Sequence, residues 1–370
     1  MPPLLSDFAA DFLTDPHDAL ADLVAQWHWI AALLVMMISM IVLGKGADWL
    51  VEDAVILSLR WGLPRVVVGA TIVSLGTTTP EAVVSVMAAI QGSPDMALGN
   101  AVGSIICDTG LILGIACLIA PLPIDPRIAN RQGWVQFSAG FLLVGLCIPW
   151  TGLPDVFKTG GNLSQLGGFL MVGLLAVYMA WSIRIARSAP AEEESGEGDQ
   201  GGSMARVLAR LTLGIVLVVV SSAILIATAE ALAERLHVPR AIIAATLVAF
   251  GTSLPELIIV VTATLKGHGS LAIGNIIGAD ILNVLFVAGL AAAVTGGDTA
   301  NPAGGLHAQP EFFWMQFPAM LLVLTVFRIG IGAARDGKLQ KRFGFILLGT
   351  YLLVTIVSYL LSSDPTAAAQ

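Results

Sequence analysis

The chain has 370 residues, of which 56% are hydrophobic and only 12% are charged, and its formal net charge at pH 7 is -8. Soluble domains carry roughly 25% charged residues, so this composition excludes an ordinary soluble domain. The acidic balance argues against a nucleic-acid partner, and the three cysteines, all in apolar segments, support neither a disulfide framework nor a zinc site. The excess apolar surface must face the lipid bilayer.

Ten apolar segments are each long enough to cross a bilayer, which takes about 20 residues in a helix. They lie at 29–58, 64–91, 96–121, 132–150, 163–186, 206–234, 239–266, 270–296, 311–331 and 343–362. We therefore expect an all-α integral membrane protein with ten transmembrane helices.

Lys and Arg residues indicate the orientation, because cytoplasmic loops are enriched in both. They concentrate in alternate loops, such as the loop with Arg60 and Arg65 and the loop with Arg127 and Arg131, while the opposite loops hold few. Both termini are therefore predicted to lie outside the inner (plasma) membrane. Residues 1–27 lack Lys and Arg and do not resemble a signal peptide.

An acidic stretch containing Gly and Ser divides the chain into halves and is expected to be a flexible cytoplasmic linker. The predicted organisation is an external N-terminal segment (1–28), a first repeat with spans 1 to 5 (29–187), the linker (188–204), a second repeat with spans 6 to 10 (205–362) and an external tail (363–370).

The two halves contain an internal repeat. Residues 76–81 and 251–256 both read Gly-Thr-x-x-Pro-Glu, and each copy is followed by Gly-Asn-x-x-Gly. An offset of five spans reverses the direction in which corresponding helices cross the membrane, so the repeats are inverted. Inverted repeats with interrupted helices place a transport site at the repeat interface near the bilayer midplane, as is typical of secondary transporters.

Proline interrupts spans 2 and 7 about halfway across, at Pro80 and Pro255. Because proline removes a helical hydrogen bond and clashes with the carbonyl four residues back, both helices are expected to break there and to free backbone carbonyls. The carbonyl groups that we expect to bind ions are those of Ser74, Thr77, Ala249 and Thr252.

A glutamate follows each proline, so Glu81 and Glu256 occupy equivalent positions near the bilayer centre. A carboxylate there costs at least about 2.5 to 3.5 kcal/mol and normally marks an ion pathway. Asp108 and Asn283 form a second equivalent pair. The three carboxylates are candidate metal ligands, and oxygen donors without thiolate or imidazole suit calcium, magnesium, manganese or sodium. The structural alternatives are protonated carboxyl groups at the helix breaks and, for Asp108 and Asn283, interhelical hydrogen bonding.

These motifs resemble those of the calcium/cation antiporter superfamily, particularly the prokaryotic sodium/calcium exchangers, which carry two copies of G-T-[ST]-x-P-E, each followed by G-N-x-x-G. The resemblance implies that Glu81 and Glu256 are ligands shared by calcium and the coupling ion, with Asp108 and Asn283 completing the centre. It also implies that spans 1 and 6 slide against the other helices. The residues that it assigns to flanking sodium sites are Thr77, Thr78, Thr252, Ser253 and Ser104.

Several positions depart from the family pattern. Gly-Ser-Asn often follows the Gly-Asn pair, whereas this chain has Ile105 and Asp280 at the Asn positions. Ala279 replaces a common Ser, which puts one sodium site and the stoichiometry in question. Asp280 lies about 100 degrees around the helix from Ala279, so a side portal and ion binding both remain open for it. Val102 and Gly103 stand where the proton-coupled branch has an acid, which favours sodium.

We therefore expect a monomeric secondary active antiporter that exchanges calcium for sodium by alternating access and has no cofactor. The alternatives are a proton-coupled exchanger of calcium, manganese or magnesium and, in another class, a cation channel or a non-transporting membrane scaffold. No nucleotide loop or nucleophile with its base suggests an enzyme. Asp48, Glu52 and Asp53 are expected to form a solvated face at the inner end of span 1, outside the site.

Overall fold

A computed structural model describes residues 28–124, 126–150, 153–186, 203–236, 251–297, 304–334 and 337–362. Predictions for the N-terminal segment up to residue 27, most of the linker, the C-terminal tail and Ala249 concern residues outside these ranges. The helices are α1 (Trp29–Trp61), α2 (Arg65–Thr77), α3 (Thr79–Ile90), α4 (Pro94–Ile119), α5 (Pro126–Cys147), α6 (Val156–Thr159), α7 (Gln165–Ala186), α8 (Met204–Arg235), α9 (Leu254–Leu265), α10 (Gly269–Val294), α11 (Phe312–Ala333) and α12 (Lys341–Ser362).

Seven of the described helices are long and apolar enough to cross a membrane, and eight if the bent pair of α2 and α3 counts as one span. The other two predicted spans correspond to α5 and α9. The first is 22 residues long with a polar N-terminal end, and the second is a shorter apolar helix whose preceding residues, 237–250, lie outside the description. The described chain is thus a mostly helical membrane protein, as expected.

Two short antiparallel strand pairs connect loops between the helices. The strand β1 (Leu122–Pro123) pairs with β4 (Lys338–Leu339), and β2 (Gly161–Leu163) pairs with β3 (Leu306–Ala308). A 3-10 turn at Leu153–Asp155 precedes α6. The strand pairs and the 3-10 turn lie in loops between the membrane-spanning helices.

The second span is broken, as predicted. Its halves α2 and α3 differ in direction by 45° across a break at Thr78. Pro80 lies in the first turn of α3, where the helix needs no amide donor from it. Because proline has no amide hydrogen, the carbonyl of Gly76, four residues earlier, loses its helical hydrogen-bond partner. The α2 segment also widens into a π-helical turn at Gly69–Val73. In the second half, α9 begins in the same way, with Pro255 in its first turn.

The sequence repeat reappears in the structure. The helices α9 and α10 begin and end 175 positions after α3 and α4, the separation that also relates Asp108 to Asn283. The glycines that follow α3 and α9 have similar positive φ angles, 81° at Gly92 and 79° at Gly267. Both α4 and α10 change to π-helical winding at their centres. Both halves therefore present the same local structure around the predicted site.

Glycines allow α2 and α10 to approach each other backbone to backbone. A Cβ atom on Gly274 would lie 2.1 Å from the Val66 carbonyl oxygen, and one on Gly69 would lie 2.5 Å from that of Leu271. Small residues at helix interfaces permit the close packing that holds helices together in lipid. The buried apolar core lies along these helices and α4.

The helices α1 and α8 pack along each other. Asp53 on α1 is only 1% exposed, and it accepts hydrogen bonds from Nε and NH2 of Arg210 on α8 at 2.6 and 2.8 Å. The expectation of a solvated face was therefore wrong for Asp53, because a bidentate guanidinium partner compensates its charge. Asp48 and Glu52 remain partly exposed, and each lies 2.9 Å from the ammonium of Lys266.

Candidate functional site

Three of the predicted carboxylates come together inside the helical core. Glu81 and Glu256 are each 1% exposed, and each lies in the first turn of its helix, α3 or α9, where the helix dipole favours a negative charge. Glu81 is near enough to interact electrostatically with Glu256 and with Asp108, which is equally buried. The two halves of the chain thus contribute acids to one centre.

Hydroxyl groups just before α3 and α9 lie beside these carboxylates. The Thr78 hydroxyl donates to Oε1 of Glu256 at 3.3 Å, and the Thr77 hydroxyl is next to the same side chain. Ser253, which immediately precedes α9, lies beside Asp108. All three hydroxyl side chains are buried. Each half of the chain therefore supplies hydroxyl groups to an acid of the other half.

Asp108 and Asn283 also meet, as expected from their equivalent positions. Nδ2 of Asn283 lies 3.5 Å from Oδ2 of Asp108, and both side chains are 1% exposed. They belong to α4 and α10, at the places where these helices widen into π turns. Such turns are frequent at functional sites. Ser104, one helical turn before Asp108, is buried on the same helix.

Asn100 joins the two halves of the site, a role that was not predicted for it. Its Nδ2 donates to the Glu81 carbonyl at 3.3 Å and to the Ser85 hydroxyl at 3.0 Å. Its Oδ1 accepts a hydrogen bond from the hydroxyl of Thr252 at 3.4 Å. The membership of Asn100 in the repeated Gly-Asn motif was the available signal. Thr252 is half-buried and lies within this network.

The carbonyl of Ser74 is not free in this conformation. It accepts hydrogen bonds from the Thr78 amide at 2.8 Å and from the Thr77 hydroxyl at 3.3 Å. The proline instead removes the helical amide partner of the Gly76 carbonyl, two residues further along the chain. Ion binding by Ser74 would require these two hydrogen bonds to open.

Asp280 lies apart from the glutamates, although it interacts electrostatically with Asp108. Its Oδ2 accepts hydrogen bonds from the Thr109 hydroxyl and, at 2.5 Å, from Nε2 of Gln136 on α5. The sequence reasoning missed Gln136. Its signal was the spacing of Gln132 and Gln136, which places two amides on one face of an apolar helix.

Several buried oxygen atoms at the centre have no hydrogen-bond donor within the described part of the chain. They are Glu81 Oε2, Asp108 Oδ1, Glu256 Oε2 and Asn283 Oδ1. Since buried polar atoms are normally paired, these oxygens are available to a cation. Among the same described residues, no three His, Cys, Asp or Glu side chains form a ready-made metal-binding group. Carboxylates repel one another, so a cation would draw them closer together.

The family of the chain follows from its match to the model of the sodium/calcium exchanger protein, which covers residues 31–184 and 206–360. The chain belongs to the sodium/calcium exchanger family. This membership makes it a membrane transporter of the cation-antiporter class and not an enzyme, in agreement with the sequence prediction.

Relatives of this family match most of the chain. The inner membrane protein YrbG of Escherichia coli is 28% identical over 340 residues, which cover 90% of this chain and 98% of YrbG. The sodium/calcium exchanger MaX1 of Methanosarcina acetivorans is 28% identical over 70% of this chain and 81% of its own length. The putative antiporter CaxA of Alkalimonas amylolytica is 28% identical over 87% of this chain and 97% of its own length.

Solved structures of the sodium-calcium exchanger NCX_Mj have the same fold. The structure soaked with zero Na⁺ and Ca²⁺ gives a TM-score of 0.73 at 24% identity and covers 90% of this chain and 100% of NCX_Mj. The structure soaked with 100 mM Na⁺ and 10 mM Sr²⁺ gives a TM-score of 0.71 at 26% identity. It covers 90% of this chain and 99% of NCX_Mj. The exchanger-family fold therefore extends over nearly the whole chain.

Proposed function

We propose that this antiporter exchanges calcium for sodium by alternating access at the centre formed by Glu81, Glu256, Asp108 and Asn283. The observation that carries the proposal is that two buried glutamates, one from the first turn of each repeated helix, lie within interaction distance of each other and keep one unbonded oxygen each among the described residues. Family membership and the name of the relative MaX1 support calcium and sodium as the transported ions.

The charge of the centre favours a divalent cation. No described Lys or Arg forms an ion pair with Glu81, Glu256 or Asp108. Buried carboxylates without a basic partner are costly in a membrane, so bound cations must neutralise them before the site can change sides. Oxygen ligands of this type suit calcium. Sodium ions compete for the same carboxylates, and this competition couples the two fluxes.

Sodium would be bound by the flanking oxygens. In this proposal Thr77, Thr78, Thr252, Ser253 and Ser104 add hydroxyl ligands to the shared carboxylates. The Thr78 hydroxyl already contacts Glu256, which supports the assignment. Rotating a hydroxyl hydrogen away from a carboxylate exposes an oxygen lone pair to an ion. The backbone carbonyls of Thr77, Thr252, Ser74 and Ala249 are further proposed ligands.

We also propose ten transmembrane helices in two inverted repeats, spanning 29–187 and 205–362, with the seventh span at 239–266. The repeated boundaries and π turns of α4 and α10 support this arrangement. Both termini would lie on the external side of the membrane, and the linker 188–204 would lie in the cytoplasm. The monomer would be the functional unit.

An alkaline phosphatase fused to the C-terminus should be active, and activity of the same enzyme in the linker would contradict this topology.

The main test is radioactive calcium uptake by proteoliposomes that contain the purified chain. An outward sodium gradient should drive uptake, and Glu81→Gln or Glu256→Gln should abolish it while the protein still inserts and remains soluble in detergent. Glu311→Gln is the matched control, because it makes the same chemical change at an exposed position immediately before α11.

The possible outcomes separate the candidate mechanisms. Uptake that an outward proton gradient drives without sodium would identify a proton-coupled exchanger. Downhill calcium flux that requires no counter-ion would identify a channel. Flux close to that of the wild type in both glutamate variants would exclude the proposed centre.

A further inference from the structure

Asp280 is a buried carboxylate that the proposed exchange centre does not use. It is 1% exposed on α10, and its hydrogen-bond partners, Thr109 on α4 and Gln136 on α5, lie outside the central set. Three helices therefore converge on an acidic side chain within the membrane. Such residues are costly and normally serve an ion pathway.

The hydrogen bonds of Asp280 are asymmetric. The Thr109 hydroxyl and the Gln136 amide both donate to Oδ2. Oδ1 is equally buried, and over the described ranges no group donates to it. Buried carboxylate oxygens normally have partners, so one saturated oxygen beside one bare oxygen points to a ligand at Oδ1.

The charge of Asp280 has no protein partner among the described residues. No described Lys or Arg forms an ion pair with it. The neighbouring charge is that of Asp108, which has the same sign. A buried charge is strongly unfavourable unless an opposite charge lies close to it. A cation at Oδ1 would supply that charge and would also reduce the repulsion felt by Asp108.

We infer that Asp280, Thr109 and Gln136 form a second cation position, which holds a sodium ion beside the central site. The inference rests on the proposed exchange function and adds one sodium position to it. The Thr109 hydroxyl oxygen accepts a hydrogen bond from Nε2 of Gln136 at 3.3 Å and keeps a second lone pair for an ion, while the Gln136 amide holds Oδ2 in place.

The number of charges selects sodium over calcium at this position. A single carboxylate neutralises a monovalent cation, whereas calcium would keep one uncompensated positive charge in a low-dielectric interior. Carboxylate and hydroxyl oxygens are both hard ligands, which alkali and alkaline-earth cations prefer. The central site, with its three acids, would remain the calcium site.

The first test is equilibrium binding of radioactive sodium to the purified full-length chain. Asp280→Asn should bind one fewer sodium ion per protein than the wild type at saturation. Thr109→Val should bind the full number but with a half-saturating concentration raised severalfold for one ion. Ser182→Ala is the control, because Ser182 accepts a hydrogen bond from Gln132 on α5, one turn away from Gln136. If Asp280→Asn does not reach the membrane, the half-saturating sodium concentration of Thr109→Val tests the inference instead.

The second test measures exchange stoichiometry in proteoliposomes held at zero membrane potential. The logarithm of the equilibrium calcium ratio should rise with the logarithm of the sodium ratio, with a slope that is one unit lower in Asp280→Asn. At a tenfold sodium gradient, the variant would accumulate about tenfold less calcium, which corresponds to about 1.4 kcal/mol.

An unchanged sodium count and slope in Asp280→Asn, together with an unchanged half-saturating sodium concentration in Thr109→Val, would overturn the inference. A variant that loses only the pH dependence of transport would show that Asp280 binds a proton, which would also overturn it. Failure of the proposed function would look different, because the wild type would then show no sodium-driven calcium uptake. The sodium-binding count would still report on Asp280 in that case.

Discussion

The Asn283 amide lies 3.5 Å from the Asp108 carboxylate, although 175 positions separate the two residues in the chain. The same separation relates the repeated helices α3 and α9, so these residues are equivalent members of the two repeats. Equivalent residues touch only near the axis that relates the repeats. The proposed ion centre therefore lies at the repeat interface, where secondary transporters bind their substrates.

This relationship predicts that the acid and the amide can exchange places. Asp108→Asn should weaken calcium binding about ten- to hundredfold, because a buried charged ligand contributes about 1.5 to 3 kcal/mol. The double variant Asp108→Asn with Asn283→Asp restores the charge on the other side of the axis and should recover most of the affinity. The calcium concentration that half-saturates uptake is the measurement. A double variant as weak as Asp108→Asn would show that the two positions are not interchangeable.

The hydrogen bond from Thr78 to Glu256 predicts a smaller effect. Thr78→Val keeps the side-chain shape but removes the donor, and a hydrogen bond of this kind contributes about 0.5 to 1.5 kcal/mol. The half-saturating concentrations of calcium and sodium should therefore change by about two- to tenfold. Thr78→Ser should behave like the wild type because it retains the hydroxyl. Equal effects of the valine and serine variants would indicate a packing role instead.

Lys266 is expected to act as a latch between α1 and the loop that joins α9 to α10. Its ammonium lies 2.9 Å from both Asp48 and Glu52, so sliding of α1 against the core would break these ion pairs. Part-exposed pairs contribute about 0.2 to 1 kcal/mol each. Lys266→Gln removes both pairs and should therefore change the maximal exchange rate by up to about thirtyfold, while the half-saturating calcium concentration stays unchanged. The exposed Lys338 in β4 provides the control variant Lys338→Gln.

The latch should respond to salt more than to moderate changes in pH. Burial alone would lower the pKa of Lys266, but its hydrogen bonds to Glu52 and Asp48 outweigh burial and raise the pKa above its ordinary value. A raised lysine pKa means that the ion pairs are fully present below the ordinary value and are lost only as the pH rises through the raised one. Exchange rates of wild type and Lys266→Gln should converge at high ionic strength. A difference that persists in high salt would contradict the latch.

The contact between α2 and α10 predicts that Gly274 tolerates no side chain. A Cβ atom there would lie 2.1 Å from the Val66 carbonyl oxygen, and a backbone atom cannot move aside as a flexible side chain can. Gly274→Ala should destabilise the protein by about 1 to 3 kcal/mol and lower its thermal midpoint in detergent. Gly349→Ala on α12 is the control, since no other described residue has a heavy atom within 4 Å of the added methyl group. Equal midpoints for both variants would contradict the close contact.

The residues proposed for the centre stand out in the sequence because both repeats carry the same motif. Glu81 and Glu256 follow prolines in matching apolar segments, and neither a soluble loop nor a lipid-facing helix explains two such acids. The expected break in the second span is also present, because proline has no amide hydrogen and cannot continue the helical hydrogen bonds. Which carbonyls the break leaves free was less predictable, because threonine hydroxyls donate hydrogen bonds to those of Leu75 and Ser74.

By itself, the sequence determined the class of protein and singled out the repeated motifs and the acids proposed for the centre, because composition, periodicity and repeated motifs are properties of the chain read in order. Only the tertiary structure decided which distant side chains meet. It placed Gln136 beside Asp280, Arg210 beside Asp53 and Asn100 between the two halves of the site. These contacts join helices far apart in the chain, and they depend on how whole helices pack and rotate against one another, which local patterns do not encode.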